Sequence, residues 1–68
     1  MTTIVKTSDG MSLVAGYHYN AICEAVKNGE DKVWFNSSDL VHINDTKTDE
    51  FGNLIIWVDA MQDIILKD

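Results

Sequence analysis

Arginine is absent from this 68-residue chain, and cysteine occurs only once. Without arginine there is no planar fork to grip a phosphate or a guanine edge at two points. Five lysines face eleven acids, for a net charge of −6, which repels nucleic-acid phosphates and anionic membranes. Direct binding to nucleic acid or to a membrane is therefore not expected. Cys23 alone closes no intramolecular disulfide, and no metal-ligand cluster stands in for one, so no cofactor or metal is expected.

Long apolar runs are missing too. None reaches ten residues, which is too short to span a bilayer. The first ten residues, Met1 to Gly10, turn polar too soon for a signal peptide. A cytoplasmic protein is the expectation. The glycosylation-type triplets Asn36-Ser37-Ser38 and Asn44-Asp45-Thr46 then carry no meaning. No glycine-rich phosphate loop, CxxC pair or HExxH run occurs. The acidic stretch from Asp45 fails as a calcium loop, with Lys47 at its third position, Glu50 at its sixth and Ile56 at its twelfth.

What is present is apolar β-forming sequence. The chain is 46% hydrophobic, which excludes a disordered tail. Its length makes residues 1–68 a single domain. A domain this small buries only about 60% of its unfolded surface, so oligomerisation is the expected extra source of stability.

Thr2 to Thr7 reads as a strand around Ile4 and Val5. Asp9-Gly10 signals a hairpin into a return strand, Met11 to Ala15. Tyr19, Ile22, Cys23 and Val26 then recur at helical spacing. Asn20 is the expected N-cap, and Asn28-Gly29 with Lys27 the expected stop. Val33 and Phe35 face one way and Trp34 the other; Ser37-Ser38-Asp39 is turn chemistry. Val41 and Ile43 point inward, with His42 outward, before a polar loop from Asp45 to Gly52.

Leu54 to Val58 and Ile64 to Leu66 read as two further strands, broken at Asp59 to Asp63. Val33 to Asp45 also aligns without a gap on Ile56 to Asp68, sharing Trp34/Trp57 and the terminal aspartates. Both halves of that echo predict strand, break, strand. The fold class is α+β: a small antiparallel β-rich domain with one short helix, in the order β-β-α-β-β-β-β. A bent sheet or an SH3-like or Sm-like barrel suits it best, and an open sheet crossed by the helix comes second.

Each chemical candidate has a structural explanation. Cys23 sits on the apolar helix stripe beside Glu24, away from the electropositive niche a nucleophile needs. His42 has Asp39 nearby but no fixed arrangement with it. Tyr17-His18-Tyr19 at the helix start suits an aromatic anchor, and equally a small-ligand or acid–base site. Trp34 and Trp57 differ from these. One short helix cannot cover both faces of the sheet, so Trp34, Trp57, Ile55 and Ile65 are expected to leave an apolar patch. Asp45, Asp49 and Glu50 would rim it with charge.

Phe35-Asn36, Leu40-Val41-His42-Ile43, Val58-Asp59 and Ile64-Ile65-Leu66 resemble a loose class of small proteins of phages and prophages in low-GC Gram-positive bacteria. The resemblance covers about the last half of the chain. It implies an accessory role, such as host takeover or inhibition of a defence protein, and assigns no catalytic residue. The expected function is a non-enzymatic protein-interaction module that self-associates and docks a protein partner. Alternatives are an acidic nucleic-acid mimic, or a small ligand-binding protein or enzyme using Tyr17, His18, Tyr19 and His42.

Overall fold

The computed structural model describes residues 2–35 and 38–65. Asn36, Ser37 of the expected turn, Leu66 of the expected last strand, and Lys67-Asp68 lie outside them. The elements are β1 (Thr3–Lys6), β2 (Ser12–Leu13), α1 (Tyr17–Lys27), β3 (Lys32–Phe35), β4 (Asp39–Thr48), β5 (Leu54–Asp59) and one helical turn, α2 (Gln62–Ile65).

The Asp9-Gly10 hairpin forms as expected. Gly10 takes φ +93°, and Thr7 N–H donates to the Met11 carbonyl at 2.9 Å. Helix α1 begins earlier than an Asn20 cap would place it. Gly16 occupies the cap position without a side-chain bond, and its carbonyl accepts the Asn20 N–H at 2.9 Å. The helix end follows the Asn28-Gly29 expectation. Glu30 N–H reaches back to the Ala25 carbonyl and Gly29 N–H to that of Val26, with Gly29 at φ +77°. Those two bonds satisfy carbonyls the helix would otherwise orphan.

The strands form one open sheet, ordered β2-β1-β5-β4-β3. It is mixed: β1 runs parallel to β5, whereas every other pair is antiparallel. This corrects the all-antiparallel and barrel expectations. Short links forbid parallel pairing only between sequence neighbours, and β1 and β5 are separated by most of the chain. β2 and β3 stay as edges, so the sheet does not close into a barrel.

β4 is also longer than expected. It runs to Thr48, with Thr46 opposite Ile56 and Thr48 opposite Leu54, where a loop was predicted. The two threonines are β-branched and can pair in a strand that is wet at its far end. An irregularity between Ile43 and Asp45 shifts the β4–β5 register, as a β-bulge does.

One face of the sheet meets α1. Val5, Ile56, Val58, Val41 and Phe35 pack there with Ile22 of the helix, all essentially buried. The segment predicted as the last strand supplies α2 instead. Ile65 N–H donates to the Met61 carbonyl, which turns Ile65 into the core and leaves Met61 exposed. The internal echo thus holds as strand only as far as Phe35 and Val58, because Gln62–Ile65 is helical where the aligned Asp39 to His42 is strand.

Candidate functional site

Alternation along the strands fixes what the other face carries. In register, Ile4 lies beside Ile55, Lys6 beside Trp57, Trp57 beside Asp45, Lys47 beside Ile55, His42 between Lys32 and Asp59, and Trp34 beside Leu40. These residues share the face opposite the buried row Val5, Ile56, Val58 and Val41. Neither helix's buried residues join it, since those of α1 and Ile65 of α2 belong to the core.

Trp34 is 59% exposed and Trp57 is 42% exposed. They stand on strands separated by β4, roughly 15–20 Å apart by strand geometry. Lys6 Nζ lies 5.9 Å from the Trp57 ring centroid, within cation–π range. Trp34, Trp57 and Asp45 therefore lie together on this face, as the sequence suggested. Neither of the other two expected anchors projects from it. Ile65 is fully buried in the core, and Ile55 is only 9% exposed, forming the floor of the face between Ile4 and Lys47.

The acidic rim also differs from expectation. Asp45 is exposed on the face, where its Oδ1 accepts the Thr46 N–H at 2.9 Å. Asp49 spends its carboxylate on the β4–β5 turn. It accepts the N–H groups of Phe51 and Asn53, both at 2.9 Å, and the Asn53 amide at 3.3 Å. Bonding from the Asn53 backbone, then from Phe51, holds the Asp49 carboxyl below the usual aspartate value. Glu50 is exposed at the same turn.

Charge is unevenly divided. On the open face three lysines, Lys6, Lys32 and Lys47, meet two aspartates, Asp45 and Asp59, leaving one net positive charge. Elsewhere Lys27 stands against Asp9, Glu24, Glu30, Asp31, Asp39, Asp49 and Glu50. The helix-free face is thus a slightly basic island on an acidic protein. Total charge conceals this, because only strand parity separates the two sets.

The aromatic triplet lies elsewhere. Tyr17, His18 and Tyr19 line a cleft of about 250 Å³ with Leu13, Ala15, Gly16 and Ile65. His18 is buried, edge-on to Phe35 at 4.7 Å and to Tyr17 at 5.2 Å. Tyr19 Oη donates to the Thr3 carbonyl at 2.8 Å, tying α1 to β1. His42 sits on the open face, so the two histidines do not converge. The cleft falls below the usual range for small-molecule sites; His18 and Tyr19 are packed in its wall, while Tyr17 is exposed. Cys23 is partly buried against the core.

Among the described residues no three His, Cys, Asp or Glu side chains gather to hold a metal, and no helix is long and apolar enough to cross a membrane. The residue that sequence reasoning missed is Phe51, 79% exposed at the β4–β5 turn. Its signal was an aromatic between Glu50 and Gly52 in a polar turn, where no core can receive it.

No protein-family model matches the chain, and no curated protein or solved structure matches it either.

Proposed function

We propose that the protein is a non-enzymatic interaction module that docks protein through the helix-free face of its sheet and works as a homo-oligomer. The observation carrying this reading is the pair Trp34 and Trp57, both well exposed on one face over an apolar floor of Ile4, Ile55 and Leu40. Indoles left in water on a rigid sheet are the side chains most enriched among binding hot spots. A domain this small also gains most from covering such a patch.

The resemblance to phage accessory proteins makes a host or defence protein the natural further partner. The nucleic-acid-mimic reading has less support. The carboxylates off the open face lie in separate segments: Asp9, Glu24, Glu30-Asp31, Asp39 and Asp49-Glu50. Rows spaced like phosphates are what that reading needs.

Sedimentation of wild type, Trp34→Ala and Trp57→Ala over a concentration series tests the proposal. Wild type is expected to self-associate, with both variants shifted toward monomer. Association that is indifferent to both substitutions would remove the open face from the account.

A further inference from the structure

Among the large apolar side chains found exposed, Phe51 is the most exposed, and it lies outside the open face. The turn presenting it is fixed. Asp49 N–H donates to the Asn53 carbonyl at 2.9 Å, Gly52 N–H donates to the Asp49 carbonyl at 3.2 Å, and Gly52 takes φ +83°. With the Asp49 carboxylate clamping the same turn, the backbone that carries Phe51 is held before the ring meets anything. Preordering of that kind lowers the entropy lost on binding. Glu50, also exposed, precedes Phe51 in the same turn.

The open face offers the complement. Its indoles and apolar floor suit an aromatic ring, and Lys6, Lys32 and Lys47 suit a carboxylate. The turn is also in a position to reach a neighbour. β4 spans roughly 30 Å by strand rise, close to the molecule's 35 Å longest dimension. β3 pairs only with Asp39 to His42, so the turn end of β4 is not flanked by it.

We infer that the β4–β5 turn of one copy docks on the open face of a second copy, Phe51 against Trp57 and Glu50 facing the lysines. This rests on the open face being a docking surface, as proposed above. The occupant is a second copy because knob and receptor, matched in shape class and charge, lie on one chain. A face-to-face dimer is the poorer arrangement. It sets two positively charged faces together and leaves Phe51 in water, whereas the head-to-tail contact covers Phe51 and Trp57 together. Such a contact repeats from copy to copy, closing into a ring or extending as a filament. A hairpin tip buries little area, so each link is weak and assembly depends on concentration.

Sedimentation of Phe51→Ala, of Trp57→Ala and of their mixture tests this, with circular dichroism confirming that each is folded. Each variant alone is expected to associate roughly thirtyfold more weakly than wild type, the loss of one aromatic anchor. The mixture is expected to form one-to-one dimers and nothing larger, because the intact turn of Trp57→Ala fits the intact face of Phe51→Ala. Lys47→Glu repeats the face arm should Trp57→Ala fail to fold. A mixture with no dimers overturns the inference, as does Phe51→Ala assembling like wild type. In the latter case, if Trp57→Ala is monomeric, the docking-face reading stands and only the head-to-tail contact falls. Wild type that stays monomeric, but binds a single-stranded oligonucleotide or an acidic peptide through Trp57, overturns it too.

Discussion

The Asp9 carboxylate accepts the backbone N–H of Gln62 at 2.9 Å, joining the first hairpin to the first turn of α2 across 53 residues of sequence. The same carboxylate accepts the Thr7 hydroxyl, and Ser8 donates both its N–H and its Oγ–H to the Ala60 carbonyl at 2.7 Å. A hairpin turn therefore doubles as the helix's N-terminal acceptor, where negative charge is favourable.

Those bonds, the Thr7 hydroxyl first and the Gln62 amide second, lower the Asp9 pKa from 3.8. A depressed folded-state value gives stability that is present above the unfolded pKa and lost as pH falls through the folded one. Asp9→Ala should therefore lower the urea midpoint at neutral pH, with the gap from wild type closing below pH about 4. A gap that stays constant down to pH 2 would show that the charge contributes nothing.

Ile56 is fully buried in the central strand, between Val5 on β1 and Thr46 on β4. Ile56→Ala should cost about 2–5 kcal/mol. Total stability for a chain of this length is on the order of 3–10 kcal/mol. The variant should therefore be largely unfolded or melt at far lower temperature by circular dichroism. A melt within a few degrees of wild type would mean that the core is not centred on β5.

The exposed indoles should behave oppositely. Trp34→Ala is expected to change unfolding free energy by no more than about 0.5 kcal/mol. Trp57→Ala should cost about 0.5–1 kcal/mol more, through lost contact with Lys6. Acrylamide should quench both indoles at low protein concentration and less so as concentration rises. Indoles protected even at high dilution would count against an open face.

Tyr19 packs against the core and bonds through its hydroxyl to the Thr3 carbonyl. Burial first, and bonding with Cys23 next, raise its pKa above 10.0. The raised value means its contribution is present below pH about 10 and lost as pH rises through the folded pKa. Tyr19→Phe should cost about 0.5–1.5 kcal/mol, the bond to the Thr3 carbonyl. Ultraviolet titration should show one phenol ionising late in wild type and not in the variant.

Local elements were readable because local chemistry decides them. Asp9-Gly10 makes its hairpin, Gly29 ends α1, and the parity of Val33, Trp34 and Phe35 holds. Pairing between distant strands was not readable, since nothing in Thr3–Lys6 names Leu54–Asp59 as its neighbour. Ile64-Ile65 misled for a related reason: a short apolar run fits strand and helix alike, and the hydrogen bonds to Met61 chose helix. At the site, Trp34 and Trp57 were legible from parity alone. Ile65 was not, because its direction depends on that helical turn.

The placement of β5 between β1 and β4 has a kinetic consequence. Among the described strands it is the one that joins the β1–β2 hairpin to the β3–β4 hairpin, and it is the last of them in the chain. A ribosome must therefore have delivered β5 before the two halves pair through it, and earlier fragments leave Val5, Val41 and Phe35 without Ile56 and Val58 to pack against. Pairings so remote in sequence make for slow folding. The nascent chain should spend its longest interval as two separate hairpins waiting for one strand.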